Sequence, residues 1–184
     1  QVGHKALAVN LSDLAAMGAK PEAFVITLGI PKTWKTQWVL DFYGGLTALA
    51  KCYSLRCLGG DLSGSKTFFA SVTLFGSSAG GNLVTRSGAK AGDWIAVSGA
   101  LGGSILGHHL NFQPRVREGI FLAQKKWASS MMDLSDGLLQ DLGHLLEASH
   151  KSANLWLDQI SVSGDAVKLG KSMPLTLTLS PMGR

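Results

Sequence analysis

The spacing of apolar residues switches repeatedly between helical and strand periods, and this alternation limits the chain to a mixed α and β fold. Over residues 3–18, Leu7, Leu11 and Leu14 recur at helical spacing, and Ala6, Val9, Asp13, Ala16 and Met17 form a second stripe; Gly18 stands where that helix should stop. Glu22 to Ile30 reads as a strand ended by Pro31. Residues 34–52 read as a second helix, with Trp38, Leu40 and Phe42 near its start. A short strand then runs into Leu58-Gly59-Gly60-Asp61, and the β-branched and aromatic run at 67–76 reads as another strand. Ser77 to Asn82 is small and glycine-rich, a linker composition.

Beyond the linker the pattern predicts a buried strand at Trp94–Gly99, and a glycine-rich turn with a short helix at 99–110. A helix opened by Pro114-Arg115 follows, then a strand at 127–134, a helix at 136–149 and a strand around Asn154–Leu157. Leu175 to Leu179 alternates like a final strand. The expected class is α/β (α+β) in two domains, residues 1–82 and 83–184.

Composition narrows the chemistry. With 46% hydrophobic and 16% charged residues, the chain can build a real core and is not a disordered polymer. No apolar run reaches the ~18 residues of a membrane span. The net charge of +5 is spread thinly, without a basic stripe interleaved with aromatics, so neither nucleic acid nor membrane is an expected partner. Cys52 and Cys57 lack a second pair that would make a zinc site, and they read as buried, reduced thiols of a cytoplasmic protein. No phosphate-binding P-loop motif occurs.

Acidic residues carry the candidate chemistry. Asp133 and Asp136 flank Ser135 at a turn between an apolar run and a helix, with Gly137 next. Two carboxylates around one turn repel unless a cation or proton neutralises them, and hard oxygens suit Mg²⁺. Asp13 lies on the Val9–Ala16 stripe, which that phase turns inward; a buried carboxylate needs a partner or a cation. Asp61 follows paired glycines at an expected strand end, a common place for ligands in α/β proteins. Arg86, beside Ser87 and Gly88, can fork onto a phosphate. Each single residue also has a plain structural reading: a locally satisfied helix Asp, a turn Asp, a helix cap, a surface Arg. The five histidines share no ligand spacing, and His108-His109 reads as a loop feature.

In combination, four blocks resemble the thiamine-monophosphate kinases of the aminoimidazole-ribonucleotide-synthetase-like superfamily. They are Gly3-His4-Lys5-Ala6-Leu7 through Asn10 to Ala19; Gly59-Gly60-Asp61; Thr85 to Ala89 with Gly92-Asp93; and Met132 to Leu138 with Asp141-Leu142. The resemblance implies ATP-dependent phosphorylation of thiamine phosphate to thiamine diphosphate in a cytoplasmic homodimer. It implies Mg²⁺ on Asp13, Asp61, Asp133 and Asp136, and ATP contacts from Tyr43, Gly60, Asp61, Arg86 and Ser135. It also implies an acidic block ahead of Gln1 and a Gly-Gly-Glu-Asp-Tyr block after the 175–179 strand. Neither is present, so the chain reads as truncated at both ends. Aminoimidazole ribonucleotide or selenophosphate synthetase is the alternative enzyme, and a non-catalytic remnant the alternative class.

Overall fold

The structure, a computed structural model, describes residues 1–172. Helix α1 (Val2–Ala16) runs into strand β1 (Ala19–Pro31); α2 (Thr36–Cys52), β2 (Arg56–Ser65) and β3 (Phe69–Ser78) follow. The sheet order is β2-β1-β3. β1 is central, parallel to β2 through the α2 crossover and antiparallel to β3.

One face of this sheet makes the core. Phe24, Ile26 and Leu28 alternate along β1 and are buried against Leu7, Leu11 and Ala15 of α1 and Phe42, Leu46 and Leu49 of α2. Burying side chains of this size contributes roughly 1.5–3 kcal/mol each. Gly3 lets the two helices touch, because a Cβ there would lie 1.8 Å from the Phe42 carbonyl oxygen.

Four α-helices follow the sheet: α3 (His108–Asn111), α4 (Val116–Lys125), α5 (Leu138–Ser149) and α6 (Gly164–Ser172). α4 docks on α1. Val116 joins the core cluster, and Gly119 approaches so closely that a Cβ would stand 2.0 Å from the Ala15 carbonyl oxygen.

The expected elements of the first 80 residues form with small shifts of boundary, and several of the later ones do not. The 94–99, 127–134 and 154–157 segments are not strands. Apolar patterning supplies a face to bury, but a strand also needs a neighbour for its N–H and C=O groups. Among the described residues the only pairing in this half is one bridge, Leu101 with Val162. Trp94, expected to be buried, is 94% exposed. The 99–110 helix divides into a 3-10 turn at Ser104–Leu106 and α3. α5 begins at Leu138 rather than 136. Cys52 and Cys57 are exposed, not buried. The expected 175–179 strand lies outside the described residues.

Candidate active site

β2 and α2 shape the first part. The ladder slips at Phe24/Val25, where Leu58 is the extra residue on β2 and the adjoining Gly59 takes φ +135°, a value L side chains rarely adopt. Gly60 then lies so close to β1 that a Cβ would be 1.8 Å from the Ile26 carbonyl oxygen. These are the physical demands behind the paired glycines, and they differ from the expected strand end: β2 continues to Ser65, so Asp61 sits inside the strand, opposite Thr27. Its carboxylate accepts a hydrogen bond from the Ser63 hydroxyl at 2.5 Å. Tyr43, Cys57, Gly60 and Asp61 line one open cavity of about 260 Å³, which also touches Ile26 and Leu62. Burial, with a smaller effect of the Cys57 sulfur, raises the Tyr43 phenol above its ordinary value.

Asp13 supplies the link to the later blocks. The buried face of α1 is Gly3, Leu7, Ala8, Leu11 and Ala15, so Asp13 points away from the core together with Val9. The inward phase expected from the Val9–Ala16 stripe is therefore corrected. The outer face is not free water, however. Desolvation and then the Asp133 carboxylate push the Asp13 carboxyl above the ordinary 3.8, while the Arg86 guanidinium pulls it down. The Asp13 carboxyl thus senses Arg86 and Asp133, both far from it in sequence.

The Arg86 turn is bound from beneath. Ser149, buried at the end of α5, donates its hydroxyl to the Arg86 carbonyl at 2.8 Å and accepts the Gly88 and Ala89 N–H groups at 3.2 Å each. That is the full capacity of a hydroxyl. Ser130 donates to the same carbonyl, and the Met131 N–H donates to Thr85. Gly88 lies over the Ser129 carbonyl with no room for a Cβ, 2.3 Å away. The segment leading into Asp133 and the segment carrying Arg86 are therefore stitched together.

The acidic turn has its own anchor. Asp141, 3% exposed in the first turn of α5, reaches back over the helix N-terminus. Its Oδ2 accepts the N–H groups of Ser135 (2.9 Å), Asp136 (3.1 Å) and Gly137 (3.0 Å). A carboxylate there also meets the positive end of the helix dipole. Gly137 turns the chain with φ +124° and ψ 153°, a region open to glycine almost alone. Asp133 is half-buried, whereas Ser135 and Asp136 are exposed. Asp93 fixes a neighbouring loop; hydrogen bonds from Ser129 and the Lys90 N–H hold its carboxyl below the usual range.

The residues expected to act together thus fall into two groups, Tyr43–Gly60–Asp61 and Asp13–Arg86–Asp133, with Ser135 and Asp136 on the turn beside the second. Among the described residues no three acidic, histidine or cysteine side chains gather into a ready metal site. The Asp13–Asp133 pair has the hard-oxygen chemistry Mg²⁺ takes, and Asp61 and Asp136 do not close a cluster with it. Sequence reasoning passed over Asp141 and Ser149 as functional supports. The available signal was two polar residues, eight apart, at the ends of an amphipathic helix.

Comparison with known proteins places this architecture. Residues 1–78 match the family described as AIR synthase related protein, N-terminal domain. A curated thiamine-monophosphate kinase from Rhodopirellula baltica is 40% identical over 163 residues, covering 88% of this chain and 51% of that protein. The crystal structure of thiamine monophosphate kinase from Aquifex aeolicus superposes with a TM-score of 0.86 at 29% identity, over 93% of this chain and 64% of that one. A structure described as AaThiL complexed with AMPPCP and TMP gives 0.87 at 29% identity, over 93% and 60%. Residues 1–78 are thus similar to the AIR-synthase-related N-terminal domain. Over most of its length the chain is similar to thiamine-monophosphate kinases, and it spans about half the length of the curated relatives it matches.

Proposed function

We propose that this chain is the nucleotide-binding portion of an enzyme that transfers the γ-phosphoryl group of ATP to thiamine phosphate, giving thiamine diphosphate and ADP. The observation that carries this reading is that the Asp13 carboxyl feels both the Asp133 carboxylate and the Arg86 guanidinium, which brings two carboxylates and one guanidinium from three separate sequence blocks near one another. A structural ion pair would need one acid; a second acid acting on the first favours a bound cation. The reading draws further support from a solved neighbour with AMPPCP and TMP bound.

In this reading Tyr43, Gly60 and Asp61 border the nucleotide and Arg86 lies against its phosphates. Ser135 contacts the nucleotide from the acidic turn. Mg²⁺, when bound, would offset phosphate charge, held by Asp13 and Asp133. No side chain need form a covalent bond. An oxygen of the thiamine phosphate attacks the γ-phosphorus in line, a new P–O bond forms, and the bond to the β–γ bridging oxygen breaks with its electron pair leaving on ADP. The chain's task is to hold the two phosphates in line and to shed water around them.

The division at residue 82, a cytoplasmic location and a homodimer belong to the same reading. β2 is a solvent-exposed edge strand, which leaves backbone groups open to a second copy. Calorimetric titration with Mg·AMPPCP tests the nucleotide site. Saturable binding that weakens at least tenfold in Asp133→Asn is expected; undiminished binding in that variant would count against the assignment.

A further inference from the structure

We infer that helix α5 is a positioning device for the nucleotide site, with Ser149 acting through Arg86 and Asp141 acting through the Ser135–Asp136 turn. The inference rests on the nucleotide reading given above and adds two residues to it, neither of which touches the ligand.

Both residues are buried polar groups whose whole hydrogen-bonding capacity on the atoms concerned is spent on backbone. Ser149 holds the Arg86 carbonyl and the Gly88 and Ala89 amides; Asp141 holds the Ser135, Asp136 and Gly137 amides. Neither bonds a second side chain, so neither is there to pair charges. The two stand eight residues apart on one helix, about 12 Å along its axis. A helix is stiff over that length, whereas among the described residues no strand pairs with the loops it holds. The distance between a phosphate-facing Arg and the acidic turn is therefore held by α5 in addition to the Ser130–Arg86 and Met131–Thr85 hydrogen bonds. Catalysis and binding of this kind tolerate little misplacement, since about 1 Å can cost a hundredfold.

A merely structural role would lower the folded fraction and leave the affinity of folded molecules alone. The positioning role makes a different forecast. Ser149→Ala should weaken Mg·AMPPCP about tenfold by calorimetry, the worth of roughly one hydrogen bond, with binding stoichiometry unchanged. In an Arg86→Ala background the same substitution should add less than about twofold, because the residue it acts through is gone. Asp141→Asn should behave alike against Asp136→Asn. Amide exchange supplies a readout that needs no ligand: Gly88 and Ala89 should exchange at least about tenfold faster in Ser149→Ala, with Ser135 to Gly137 unaffected. Unchanged exchange at Gly88 and Ala89, or losses of affinity that simply multiply in the double variants, would overturn the inference. Failure of the unsubstituted protein to bind Mg·AMPPCP, with exchange responding as described, would instead sink the nucleotide reading and leave α5 as a purely structural brace.

Discussion

Replacing Gly137 by Ala isolates the backbone cost of presenting the acidic turn. A Cβ at this position would meet nothing within 4 Å, so no clash contributes. The cost comes from φ +124° and ψ 153°, which Ala reaches only at about 1–3 kcal/mol. Ala also stiffens the unfolded chain, which returns about 0.4–1 kcal/mol if the native conformation could be kept. The net expectation is a loss of about 1–2 kcal/mol, read from the urea midpoint at constant slope. Gly143 offers the matched control, since it lies within α5, is exposed and also has open space around its Cβ position. There Ala should stabilise by up to about 1 kcal/mol, because a helical glycine carries only an entropic penalty. One substitution, two positions on the same stretch of chain and opposite signs make a stringent test. If Gly137→Ala stays within about 0.5 kcal/mol of the parent, the turn does not require its glycine and the argument fails.

Two further outcomes follow from the same geometry. Asp13 has a folded-state pKa raised above 3.8, so its charged form is disfavoured by folding; stability falls as pH rises through the raised value and the penalty is absent below the unfolded one. Asp13→Asn should therefore raise the Tm at pH 7, and the gain should shrink to nothing as the pH is lowered below 3.8. A gain that persists at low pH would refute the electrostatic origin. Gly60→Ala must push β2 off β1 at Ile26 and should cost several times the ~1 kcal/mol of an ordinary strand substitution; near-parent stability by thermal melting would contradict the close approach.

The first half of the fold was legible because each element there carries its own period and its own partner. Leu7 and Leu11 mark a helix face, and Phe24, Ile26 and Leu28 mark a strand that lies between two neighbours. The second half was misread because apolar runs such as Trp94 to Val97 signal burial without saying what buries them. Asp13 shows a subtler failure. Two stripes can be drawn through 3–18, and only packing against α2 and β1 decides that Leu7–Leu11–Ala15 faces inward. Its outward face nonetheless feels the Asp133 carboxylate and the Arg86 guanidinium. Asp141 stood in the fourth block and Ser149 in none, and neither was read as a support, because a side chain that serves backbone amides leaves no chemical motif of its own in sequence.

The central claim is that phosphoryl transfer to thiamine phosphate depends on the Asp13–Asp133–Arg86 junction. The most direct measurement is ADP release from ATP in the presence of thiamine phosphate and Mg²⁺, made on the complete protein that contains this chain. The account predicts turnover that requires thiamine phosphate and falls at least about a hundredfold in Asp133→Asn, as loss of a charged group aimed at the transition state would demand. Turnover independent of thiamine phosphate, or undiminished in Asp133→Asn, would contradict it.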